Sequence, residues 1–389
     1  MFPGLRMAAL SGGLVALLLA DGCREPAPAD LPGVAPVGLT WQPVALPGGD
    51  DRLMLRDVAT CAGRWYLVGG AAATDGTERP LAWRSVDGRH WEPLVVRAAS
   101  FYGRQSVLYA AACRDGRLAG LGSRVGGVHG NPRVAGWRQA ADGSLVEVPA
   151  GAELYGGPNA AGVTRMTAGP AGWLTVGNRI SGAAVWVATD PARFEIVESA
   201  RELASDAAGR TWVFDATASP GGWLAVGGVG RSGRVERDSV AWASPDGRTW
   251  RRQEVPAAAG YDELQRVTTV ADRPVAVGPR GPAFGAWRDD GAGWSAAGEF
   301  DSTQGGGVAT VSDLVALDGR LYVAVSDGTA HRLWASDDRG DSWRPVLAPT
   351  PVLPAGAGRM VTLGAQDHRL LVVVDDGAGV AIWSAVSPA

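Results

Sequence analysis

The sequence predicts an all-β fold: a seven-bladed β-propeller of four-stranded antiparallel blades, closed by an N-terminal strand that pairs in the last blade. Three observations predict it. A short apolar strand ending in Trp recurs at Trp83, Trp137, Trp186, Trp242, Trp287, Trp334 and Trp383, at intervals of 45 to 56 residues. Four-stranded blades need about 40–50 residues each, so the period fits one blade per repeat. Upstream of each Trp lies another apolar strand, often ending in Gly, as in Arg64–Gly70 and Gly222–Gly228. The last unit is truncated: only six residues follow Trp383, too few for a fourth strand.

The missing strand is found at the other end of the body. Residues 38–48 read as a fourth strand with no third strand before it, and they contain Trp41. Closing the ring with that segment removes a free sheet edge. The blades then fall near 53–96, 106–148, 163–197, 210–255, 264–299, 307–347 and 359–389. Within each, an inner strand leads through a tight turn to a second strand, then a longer loop, the Trp strand, and a turn often of Asp-Gly type. Such turns suit hairpins because Gly accepts positive φ. The recurring Trp residues are expected to fill the wedges between blades.

The first 37 residues differ from the rest. Arg6 is followed by the apolar run Met7–Ala20, too short to span a bilayer as a permanent helix but of the length of a signal-peptide core. Residues 1–22 are therefore expected to be a signal peptide. Cys23 follows shortly after the run, where lipoprotein maturation would diacylate its thiol; ordinary secretion is the alternative. Residues 23–37 are Pro-rich and read as a semi-extended tether. The expected location is the outer surface of a bacterial cell membrane, anchored through Cys23, or secretion if that thiol carries no lipid.

Composition narrows the partners. The formal net charge is −4, which gives no bulk attraction to nucleic acid. The four His (His90, His129, His331 and His368) fall in different blades without ligand spacing, so neither a metal centre nor a cofactor is expected. No nucleophile elbow or phosphate-binding loop occurs. A closed ring of this size is expected to be a monomer. Cys61 and Cys113 lie at equivalent ends of the first two inner strands. An oxidising compartment permits a disulfide between them, and two buried thiols are the alternative.

The hairpin after each Trp strand resembles the Asp-box (BNR) repeat of sialidase-like propellers. Ser336, Asp338, Gly340 and Trp343 carry the full pattern. Ser85, Asp87, Gly88 and Trp91, and likewise Ser244, Asp246, Gly247 and Trp250, carry it with one residue fewer. The resemblance implies a structural hairpin away from the active face, its Asp accepting backbone N–H bonds. The Gly69-Gly70 and Gly227-Gly228 doublets are also similar to kelch-type blades. Sialidases further use three Arg, an Asp acid/base, a Tyr–Glu pair and an Arg-Ile-Pro segment. That segment is absent here, and no complete catalytic set can be assembled.

The ligand face of a propeller lies where the inner strands begin. Those positions supply Arg56, Asp57, Arg165, Asp215, Arg266 and Asp313, and the loops entering the blades add Tyr102, Tyr155 and Tyr261. Charge compensation around a narrow channel is the plain reading of the alternating signs. If the face binds, Arg favours a carboxylated or otherwise anionic group, and the Tyr rings favour a sugar. The expected function is a membrane-anchored binding or scaffolding protein without catalysis, its ligand an anionic glycan or a protein partner. A sialidase-like glycoside hydrolase with a divergent site is the alternative.

Overall fold

The computed structural model describes residues 34–126, 132–258, 260–350 and 353–387. The expected signal peptide, residues 23–33 of the expected tether (Cys23 among them) and His129 lie outside the described residues. Residues 35–389 form one compact unit.

The chain is a seven-bladed β-propeller. The seven inner strands are Arg52–Cys61, Val107–Arg114, Ala160–Gly169, Arg210–Ser219, Arg266–Val270, Thr310–Leu317 and Met360–Gln366. Each begins an antiparallel sheet of four strands in chain order, apart from the last, and short edge segments extend blades two and six to five strands. The two helices, Phe101–Arg104 and Ala152–Tyr155, are single turns in the loops entering blades two and three.

The ring closes as the truncated repeat requires. Gln42–Pro43 pairs with the last strand, Val380–Val386, placing Gln42 opposite Ser384 and Pro43 opposite Trp383. Val44 and Leu46 pack into a core shared by blades seven and one, and the Trp83 indole donates to the Pro47 carbonyl at 3.0 Å. On the other side, the Trp41 indole donates to the Leu347 carbonyl at 2.7 Å. The body starts earlier than residue 38, because Val37 pairs in parallel with Val346 at the edge of blade six. A short apolar stretch offers little periodicity, so the sequence alone does not separate Val37 from the tether.

Fifteen of the sixteen Trp occupy repeat positions. Seven end the third strands, and they do more than fill wedges. Trp83, Trp186, Trp242 and Trp287 each donate an indole N–H to a carbonyl of the loop entering their blade, at Pro47, Leu154, Glu202 and Pro256. Trp41, Trp91, Trp250, Trp294 and Trp343 stand at the entry to the fourth strand, and Trp65, Trp173 and Trp223 near the start of the second. The hairpin after the third strand of blade four is held by its own side chains: Asp246 accepts N–H bonds from Arg248 and Thr249, while Gly247 donates to Ser244. The Thr249 N–H is the main reason Asp246 sits below the usual carboxylate range.

Cys61 and Cys113 form a disulfide with a Cα–Cα separation of 5.5 Å, joining the outer ends of the first two inner strands. A closed loop of this size is worth about 2–4 kcal/mol of stability. The double variant Cys61→Ser/Cys113→Ser is expected to lose that amount in denaturant unfolding, and an unchanged midpoint would show that the bridge contributes nothing. Trp83→Ala should cost about 3–5 kcal/mol, more than the about 1 kcal/mol of the lost hydrogen bond alone. Comparison with Trp83→Phe, which keeps most of the ring, separates the two contributions.

Candidate functional site

The inner strands set one residue per blade at the same height on the channel wall, each opposite the fifth residue of its second strand. These residues are Asp57, Ala110, Arg165, Asp215, Arg266, Asp313 and Thr362. Just before this level, the register shifts in blades one, two, three, four and six. Such a bulge leaves one residue outside the ladder and turns its side chain. The displaced residues are Arg56, Tyr109, Thr164, Phe214 and Ser312, and all five line a single cavity of about 730 Å³ at the channel mouth. That volume is in the range of small-molecule sites.

The three carboxylates of the ring have a common task. Asp57 accepts the N–H of Ala111 at 2.9 Å, Asp215 that of Val267 at 3.1 Å, and Asp313 that of Leu363 at 2.9 Å. In each case the donor follows the equivalent ring residue of the next blade, so each carboxylate staples two blades. The same three groups also accept the N–H of their own following residue. A carboxylate accepting two backbone N–H bonds is committed to structure.

Arg165 lies among them, 3.6 Å from Asp57 and 3.8 Å from Asp313, and donates to the Ser312 carbonyl at 2.8 Å. Burial alone would lower its pKa, but Asp313, Asp57 and Asp215 outweigh that and raise it. Arg266 donates to the same Ser312 carbonyl and to the Gln265 carbonyl, and it forms no ion pair among the described residues. Burial, then the neighbouring Arg165, brings its pKa down to about 10. Arg56 is paired with the fully buried Asp375 at 2.5 Å. Burial pushes Asp57 up to about 7, with Arg165 opposing.

The sequence-predicted residues thus divide. Arg56, Arg165 and Arg266 line the mouth, and Asp57, Asp215 and Asp313 stand at the ring level that closes it. The three Tyr do not converge there. Tyr102 is at the rim, about one third exposed, with the Arg133 guanidinium 5.7 Å from its ring centre. Tyr155 is buried and packs on Trp186 at 6.0 Å, because its helical turn points it inward. Tyr261 lies beside Arg237, whose guanidinium is 2.6 Å from Glu263. Sequence reasoning missed Arg359, a further mouth residue that forms no ion pair among the described residues and donates only to the Asp376 and Ala355 carbonyls. It precedes its inner strand, where the repeat gives no register.

No family model matches the sequence, and a search of the curated proteins finds no relative. Solved structures resemble the fold. A prolyl endopeptidase is 13% identical with a TM-score of 0.51, over 86% of this chain and 50% of its own. The β-propeller domain of the Trilobed protease from Pyrococcus furiosus is 10% identical with a TM-score of 0.48, over 86% and 95%. A Trypanosoma rangeli sialidase is 11% identical with a TM-score of 0.44, over 90% and 59%. The chain spans about half the length of the endopeptidase and sialidase chains it matches. At these identities the likeness concerns the fold, which hosts many functions.

Asp57 binds its proton more tightly in the folded chain than at its ordinary value of 3.8. Between 3.8 and about 7 the folded state therefore holds the extra proton, and stability falls as pH rises through that window. In Asp57→Asn, the decline in thermal midpoint from about pH 5 to about pH 8 is expected to flatten. Parallel profiles for wild type and variant would show that Asp57 does not titrate there.

Proposed function

We propose that this chain is an exported propeller, tethered to a membrane through a lipid on Cys23, that binds an anionic group of a glycan or protein at its channel mouth. One observation carries the binding reading. Four Arg, namely Arg56, Arg165, Arg266 and Arg359, line one cavity, and two of them, Arg266 and Arg359, form no ion pair among the described residues. A guanidinium without a counter-ion at a concave site is matched by carboxylate or phosphate, which accept two parallel N–H bonds. The ring carboxylates are occupied by backbone donors and leave that role to the ligand.

A second reading, a sialidase-like hydrolase with a divergent site, draws on Tyr261, Glu263 and Arg237. Against it, Glu263 is already bonded to Arg237 and to Gln265 at 2.6 Å each. Burial, then Glu263, raises the Tyr261 pKa, so the phenol stays protonated at neutral pH.

Calorimetric titration with galacturonate and with galactose tests the binding reading. Wild type is expected to bind the acid and not the neutral sugar, and Arg359→Ala should weaken binding by about 1.5–3 kcal/mol, as expected for a charged hydrogen bond. Equal binding by wild type and variant would remove Arg359 from the site. Release of sugar from an anionic glycoside by the purified protein would favour the hydrolase. The anchor has its own check: labelling with a fatty acid should mark wild type and spare Cys23→Ala.

A further inference from the structure

Trp212 is the one Trp outside the repeat positions. It stands on the inner strand of blade four, opposite Gly228. At the same register five of the other six blades carry Met54, Val107, Gly162, Thr310 and Met360. The site therefore does not call for an aromatic ring to complete a blade. Trp212 is only partly buried, whereas the Trp residues ending the third strands of blades one to five are almost wholly buried. Its indole N–H finds no acceptor among the described residues.

The surroundings hold the ring in place, with two guanidinium groups over it, and leave it partly exposed. A Cβ on Gly230 would lie 2.9 Å from Trp212 Cζ3, so the six-membered ring rests against a glycine backbone. The Arg237 guanidinium lies 4.5 Å from the ring centre, and that of the exposed Arg210 lies 5.2 Å away. Arg237 also reaches to 5.8 Å from Phe214, which lines the mouth cavity. Trp212 and the Arg-lined cavity are thus contiguous through Phe214 and Arg237. A rigid indole beside a cationic seat is a stacking surface, since ring faces rich in C–H or π density pack on Trp at low entropic cost.

We infer that Trp212 is a stacking subsite continuous with the anion seat, so that the ligand carries a ring with an apolar face next to its anionic group. The ring is a sugar or an aromatic; both present the same flat face to the indole. This inference rests on the proposed anion seat at the mouth.

The test uses the intact protein with three probes: inorganic phosphate, trigalacturonate and benzoate. Wild type is expected to bind trigalacturonate or benzoate at least tenfold more tightly than phosphate, with a change in Trp fluorescence. Trp212→Ala should remove that advantage and leave phosphate binding within twofold, while Trp212→Phe should restore most of it. Which ring-bearing probe responds tells sugar from aromatic. Far-ultraviolet dichroism and the thermal midpoint of each variant separate lost stacking from lost folding. If Trp212→Ala binds the ring-bearing probes as wild type does, the stacking subsite is overturned and the anion seat stands. If wild type binds phosphate but neither ring-bearing probe, the result is the same. Should wild type bind none of the three, the seat itself falls and the subsite with it.

Discussion

Every feature of the mouth depends on ring closure by a few residues at the start of the body. Gln42, Pro43 and Val44 supply the fourth strand of a sheet whose other three strands come from the far end of the chain. That pairing completes the sheet at the seam between blades seven and one, where the inner strands also meet through Thr60, which donates to the Ala365 carbonyl at 3.3 Å. The channel wall, the cavity and the placement of Arg56 beside Asp375 all follow from the circle being closed. The closing segment is fixed on both sides, by Trp41 toward blade six and by Trp83 toward blade one.

Inside the circle, charge does two kinds of work. Asp57, Asp215 and Asp313 exchange solvation for backbone donors of the next blade, which ties neighbouring inner strands at their narrowest approach. Arg165 balances two of them. Arg266 and Arg359 form no ion pair among the described residues, and they face a space large enough for a ligand. Arg266 is partly buried and Arg359 exposed, so the guanidinium of each is open to an anionic group. The physical difference between the structural and the binding Arg residues is therefore the partner each already has.

Much of this was legible in the sequence. The seven Trp and the truncated last repeat gave the blade count and the closure, because a propeller repeats its packing. The ring residues were readable for the same reason: Asp57, Arg165, Asp215 and Asp313 follow from the register of the inner strands. What lay outside the repeat was not readable. Arg359 precedes a strand, and Tyr155 sits on a helical turn whose direction no period encodes. Trp212 belongs to none of the recurring Trp positions, and its register against Gly228 sets it apart from them. Loops entering blades vary in length and path, so their side chains carry no positional signal.

The seam also constrains the order in which the molecule can be finished. A chain made N-terminus first presents residues 42–44 well before their partner, Val380–Val386. Until then the early strand has no place to settle, and blade one lacks its neighbour. The disulfide between Cys61 and Cys113 needs only the first two blades, so this covalent tie can form long before the circle is sealed.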